Sequence, residues 1–219
     1  MSRNSEYTFK YIITRYNEDL NWLNNIMNDC IIYNKGKPLN IPNEILLENV
    51  GLSEHTILYY IINNYDSLPD VCIFSQARIS DSLHFSNKPY DEKYPYYAYL
   101  EEIKDQAHKN GMSYHRLPKG NAWIDNFNIV INLNEKYREE KIPFIEWFNQ
   151  NIDKNKKNLD KFFPCSIFAV SKKLILNRSV DFYKKLLKKV DWTIHPIEAA
   201  FLERCWYYIF NAEGDDINQ

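Results

Sequence analysis

Glu198 is the residue in this chain whose type and setting most suggest chemistry. It sits in Ile197-Glu-Ala-Ala-Phe-Leu-Glu-Arg-Cys-Trp206. At about 100° per residue, Leu202, Cys205 and Ile209 fall within about 40° of it, and Trp206 flanks the same stripe. Glu203 falls on the far side of that helix, solvated or paired. A carboxylate on an apolar stripe has a raised ionisation constant and suits general-base work. The same residue comes after His195-Pro196, at a position where a glutamate caps a helix and favours its dipole. Base and cap both stay open.

Asp81 is the second candidate base. With His84 it lies beyond the apolar run Val71-Cys-Ile-Phe74. Two polar residues fall short of the ligand count of a metal site, and a surface loop is the plain alternative. Three segments lie just past apolar strands, where open α/β sheets bind ligands: Arg15 to Asp19, Asn34 to Lys37 and Ser75 to Asp81. Asn17, Glu18 and Asp19 have the chemistry to meet a base or a ribose, and Asp19 equally caps the short helix after it. Lys35 suits a phosphate, or is an exposed turn lysine. Gly51 and Ser53 open a helix whose free N–H groups attract anions, and Glu54 weakens that attraction. His55, spaced with Leu58, Tyr59 and Ile62, faces inward as a core histidine or a functional one. Neither a Gly-rich phosphate loop nor a nucleophile elbow is present.

The elements that must position these groups alternate. Phe9–Thr14 reads as a buried strand, with a short helix through Leu20, Leu23 and Met27. Cys30–Tyr33 is a second strand, and a polar stretch with Pro38 and Pro42 leads to Gly51. A helix capped by Ser53 runs to about Asn64, and Val71–Phe74 is a third strand. This order predicts parallel pairing with right-handed crossovers. Beyond it, Glu101–Asn110 reads as a helix ending at Gly111, and Tyr94–Tyr99 is either extended or the start of that helix. Asn128–Asn132 reads as a strand and Ile145–Asn151 as a helix. Asn151–Asn158 is a solvated charge run. Cys165–Val170 is a strand, Lys172–Leu176 and Val180–Val190 are helical, and a last helix begins near Pro196.

With 219 residues, one large domain is expected. A net charge of −2 argues against a general nucleic-acid or anionic-membrane binder. Seventeen Tyr and five Trp suit sugar and base stacking, though aromatics more often fill cores. Cys30, Cys72, Cys165 and Cys205 form no C-x-x-C pair. Reduced, buried thiols and a cytoplasmic location are expected. No run approaches the ~20 apolar residues of a membrane span.

Several segments together resemble a domain-of-unknown-function family with fungal, microbial and large-virus members that looks glycosyltransferase-like. They are Arg15-Tyr-Asn-Glu-Asp-Leu-Asn-Trp-Leu23, Ile32-Tyr-Asn-Lys-Gly36, Asn49-Val-Gly51 with His55-Thr56, Asn64-Tyr-Asp-Ser-Leu-Pro-Asp70, Phe168-Ala-Val-Ser171 and Glu203-Arg-Cys-Trp206. The opening is also similar to the nucleotide-sugar half of type-A glycosyltransferases. That resemblance implies an α/β, Rossmann-like single domain over 1–219, with a mixed, mostly parallel sheet flanked by helices. It divides into a nucleotide-binding half (1–76), a variable middle (77–160) and an acceptor and catalytic half (161–219). It implies transfer of a sugar from a nucleotide-sugar donor, such as a UDP-sugar, to a glycan or protein acceptor. Tyr16, Asn17 and Glu18 would lie at the donor, with Lys35, Gln76 and Arg78 as further donor contacts and Glu198 or Asp81 as the base.

Two departures stand out. Type-A enzymes commonly carry Asp-x-Asp after the third strand, to hold a divalent metal; here the chain reads Ser75-Gln76-Ala77. Neutralisation of the leaving diphosphate would then fall to Arg78, with Lys172, Lys173 and Arg178 as later options, and a role for manganese or magnesium stays open. The family's usual Gly-Arg-Glu-x-His reads Gly51-Leu-Ser-Glu-His55, without the arginine. A non-catalytic nucleotide- or carbohydrate-binding module on the same fold is the alternative reading. A hydrolase built on Asp81, His84 and Glu198 is a third.

Overall fold

The computed structural model describes residues 7–78, 96–114, 143–154, 159 and 166–211. Six strands form one sheet in the order β3-β2-β1-β4-β6-β5. They are β1 (Phe9–Arg15), β2 (Cys30–Asn34), β3 (Glu44–Leu46), β4 (Val71–Gln76), β5 (Met112–Tyr114) and β6 (Phe168–Ser171). β3, β2, β1 and β4 run parallel, and β6 pairs antiparallel with both β4 and β5. The helices are α1 (Leu52–Asn63), α2 (Tyr96–Asn110), α3 (Phe144–Asn151), α4 (Lys172–Ile175), α5 (Val180–Leu187) and α6 (Ile197–Phe210). The protein is thus an α/β domain on a mixed, mostly parallel sheet, as the alternating pattern predicts.

Side-chain alternation along the strands sorts the core into two layers. Ile12, Tyr33, Cys72, Phe74, Phe168 and Val170 face α1, α3, α5 and α6. Tyr11, Ile13, Ile32, Val71, Ile73 and Ala169 face α2 and the turns after β1. Helix α1 is buried nearly all round because both α5 and α6 pack on it. That is why the polar Ser53, Glu54 and Thr56 are inside.

Several expectations change in detail. The helix expected after β1 is two short 3-10 turns, Asn21–Leu23 and Met27–Asp29. Gly51, at φ 60°, caps α1 in place of Ser53. A Cβ there would lie 2.3 Å from the Val190 carbonyl oxygen, so the position demands glycine. Tyr96–Tyr99 open α2, which ends at Gly111 with φ 85°. Cys30, Cys72 and Cys205 are buried free thiols. Asp81, His84, Cys165 and the expected strand Asn128–Asn132 lie outside the described residues.

Candidate functional site

The sheet changes direction of build at β1. From β1 the chain moves outward to β2 and β3, then returns through α1 to β4 on the other side of β1. In such sheets the crevice beyond the carboxyl ends of the two flanking strands is where ligands bind. Here that edge brings together the loop after β1, the loop after β2, the end of β4 and the start of α1. The segment entering β6 joins them, because antiparallel pairing sets Phe168 opposite Phe74.

Arg15 organises the first two loops from a buried position. Its Nε donates to the Glu18 carbonyl at 2.9 Å, and one terminal nitrogen donates to Asn34 Oδ1 at 2.9 Å and the Lys37 carbonyl at 3.1 Å. A fork of fixed donors suits three acceptors on separate segments. The Glu18 carboxylate accepts from the N–H groups of Tyr16 at 2.7 Å and Asn17 at 3.1 Å, closing its own turn. Asn17 Oδ1 accepts from the Lys37 N–H at 2.9 Å. Gly36 passes so close that a Cβ would lie 1.4 Å from the Tyr16 carbonyl oxygen. Asn17 and Arg15 therefore clasp the two tips together, and Glu18 fixes the first of them. Tyr16, 51% exposed, presents its ring outward. Asp19 accepts from Asn21 N–H at 3.1 Å and Asn21 Nδ2 at 2.9 Å, a local turn contact, while Leu20 holds the cap position of the 3-10 turn that follows.

Lys35 is not an exposed turn lysine. It is buried, and its ammonium donates to the Val50 carbonyl at 2.5 Å and to the Leu52 carbonyl. Burial pushes its ionisation constant down to about 8, opposed by the Glu54 carboxylate nearby. Glu54 is the sharpest feature that sequence patterning passed over. It accepts from the Ser166 hydroxyl across 112 positions of sequence, and from Ser53 Oγ at 3.4 Å. Gln76 Nε2, at the end of β4, donates to that same Ser53 hydroxyl at 3.3 Å. Burial and then the Glu203 carboxylate raise Glu54 to about 7, against Ser166, its own N–H and Lys35, which lower it. Three left-handed residues lie nearby in the chain or in contact: Gly51 and Leu52 (φ 52°), just before Glu54, and Ser166 (φ 50°), its donor. For the two with side chains that conformation costs about 1–2 kcal/mol each.

His55 is next to Glu54 in the chain and is buried, with Nδ1 lacking a hydrogen-bond partner. Burial, and then the Lys35 charge, push it down to about 4, so it is neutral at pH 7. On the opposite face of the sheet from α1, this edge is aromatic. Trp22 Nε1 donates to the Ala77 carbonyl at 3.2 Å, and its ring meets Tyr96 edge-on at 4.8 Å. The Ser75 and Tyr96 hydroxyls are 3.3 Å apart.

Glu198 is buried in the first turn of α6, after Pro196 at the cap position, and α6 packs on α1. Glu203 pairs with Arg204 at 3.1 Å while still acting on Glu54. Arg78 is exposed beyond β4. The later cations lie at the opposite edge: the Lys172 N–H donates to the Asp70 carbonyl before β4, and Lys173 is the next residue. Arg178 donates to the Ile152 and Ile209 carbonyls, the latter near the end of α6. Among the described residues no three His, Cys, Asp or Glu gather as metal ligands, and no helix is long and apolar enough to cross a membrane.

Fold and edge together define an α/β domain whose β1 and β4 tips meet at a topological switch point. The chain belongs to the family described as "Protein of unknown function (DUF3431)", which matches residues 12–218. No curated protein and no solved structure matches it.

Proposed function

We propose that the protein is a glycosyltransferase that moves a sugar from a nucleotide-sugar donor, such as a UDP-sugar, to an acceptor hydroxyl, on a type-A-like fold. The observation that carries this reading is the topological switch between β1 and β4, the position at which such sheets hold nucleotides. Tyr16, Trp22 and Tyr96 supply aromatic faces there for a base or sugar. Asn17 and Glu18 shape the donor loop through the clasp to Lys37, and Gln76 and Arg78 extend from β4. The buried Lys35 acts on the field of the edge, since its protons are directed at backbone carbonyls. Inversion at the sugar needs a proton acceptor and stabilisation of the departing diphosphate. Glu198 and Asp81 are the acids that the sequence puts forward for the proton. Loss of turnover in Glu198→Gln, with the fold intact, would establish that role; retained turnover would leave the proton to another acid.

The second reading is a binding module that keeps the fold without the chemistry. It is favoured by Ser75-Gln76-Ala77 at the end of β4, where an Asp-x-Asp would hold metal. Thermal shift with UDP, UDP-glucose, GDP-mannose and free sugars, with and without manganese, separates the two. A ligand at 100 times its Kd stabilises by about 2.7 kcal/mol, a rise of roughly 5–10 °C for a chain of this size. The transferase reading expects that rise with nucleotide. A response to free sugars alone establishes the module, and silence to every nucleotide refutes the transferase.

A further inference from the structure

A hydrogen-bonded path leads from the end of β4 to a buried carboxyl. Gln76 is half-buried at the end of β4, and its amide nitrogen donates to the Ser53 hydroxyl at 3.3 Å. Ser53 lies 3.4 Å from Glu54 Oε2, and Ser166 donates to the other oxygen, Oε1. We propose that Glu54 is the positioning and proton-storing residue of this edge, receiving the acceptor's proton through the Ser53 hydroxyl. This rests on the transferase reading and gives the proton a destination other than Glu198 or Asp81.

The step balances. The acceptor oxygen forms its bond to the anomeric carbon and gives its proton to Ser53 Oγ. Ser53 passes its own proton to Glu54 Oε2. The bond from the anomeric carbon to the diphosphate oxygen breaks, and its electron pair leaves with the nucleoside diphosphate. Contacts of 3.3–3.4 Å are long for direct transfer, but such contacts shorten when substrate fills a site.

The groups around Glu54 suit the role. Lys35 on the β2 tip supplies positive charge from a buried position. Glu203 on α6, beside Arg204, opposes ionisation. His55, the next residue, is neutral at pH 7 and does not compete for the proton. Leu52 and Ser166 hold left-handed backbone on either side, so the fold bears strain to keep this carboxyl where it is.

The test uses the full chain with UDP-glucose, UDP-N-acetylglucosamine and GDP-mannose, water serving as acceptor, and reads nucleoside diphosphate release from pH 5 to 9. Wild-type turnover should rise with pH through an apparent value near 7. Glu54→Gln should lose about 100-fold or more and its profile should go flat, while UDP affinity by calorimetry stays within about threefold. Ser53→Ala should fall comparably, and Ser53→Thr, which restores a hydroxyl, should recover most of the loss. Retained turnover with an unchanged profile in Glu54→Gln overturns the proposal and leaves the transferase reading standing. Absence of both nucleotide binding and turnover in the wild type overturns the two together.

Discussion

Replacing Glu54 with glutamine should change how stability depends on pH, and burial sets the direction. The carboxyl sits at about 7 in the fold against an ordinary 4.5, because burial and Glu203 disfavour its charge. Between those values the native protein keeps a proton that the unfolded chain releases. Stability from this group therefore falls as pH rises from 4.5 to 7, then levels off. At about 1.36 kcal/mol per pKa unit, full ionisation inside the fold costs about 3 kcal/mol. His55 acts in the opposite sense. Pushed down to about 4 from 6.5, it binds fewer protons in the fold, so its contribution rises with pH across that interval. In the wild type the two slopes oppose each other over most of their shared range. Glu54→Gln removes the falling slope and leaves the rising one. Lys35 stays charged at pH 5 and is mostly charged at pH 7, and its attraction for the ionised carboxylate is already contained in the position of the Glu54 pKa. The variant should therefore gain on the wild type by roughly 2 kcal/mol between pH 5 and pH 7, or about 4–8 °C in Tm. Urea unfolding monitored by tryptophan fluorescence at the two pH values measures it. A gap that moves by less than about 0.5 kcal/mol would show that Glu54 is already ionised at pH 5, and would refute proton storage there.

Three further outcomes concern the same edge. Arg15→Lys should destabilise by about 1–3 kcal/mol in urea, because one ammonium cannot reach the Glu18, Asn34 and Lys37 acceptors in the geometry of the guanidinium fork. Gly36→Ala should cost about 3 kcal/mol or more and weaken nucleotide binding together with stability, since the added carbon meets the Tyr16 carbonyl and forces the two tips apart. Ser166→Gly should be more stable than Ser166→Ala by about 1 kcal/mol, as both lose the hydroxyl but only glycine relieves the left-handed backbone. Equal melting of that last pair would mean the backbone there bears no strain.

The parallel core was legible because its signals are local. Phe9–Thr14, Cys30–Tyr33 and Val71–Phe74 are apolar runs bounded by polar turns, and each became a strand within a residue or two. β3 was hidden by its length: Glu44–Leu46 is three residues beside Pro42, held by the Asn34 carbonyl and by pairing with β2. β5 was equally short, and nothing in Met112–Tyr114 reveals that it adds to β6. The direction of β6 is a tertiary fact, seen in its antiparallel pairing with β4 and β5 and not legible in Phe168–Ser171 itself.

The site was less legible, for a physical reason. Patterning judges a residue by the helix it stands on, and by that measure Glu54 belongs to a solvated first turn. It is buried by the packing of α5 and α6 on α1, from more than a hundred residues away in sequence. The same distance conceals Ser166 as its donor. Glu198 was visible because its own helix is apolar, whereas Glu54 becomes visible only once the sheet edge is assembled. The sequence did carry one trace of it. Lys35, Gly51 and Ser53 each read in sequence as anion contacts, and in the fold Ser53 meets the neighbouring glutamate and the Lys35 charge acts on it.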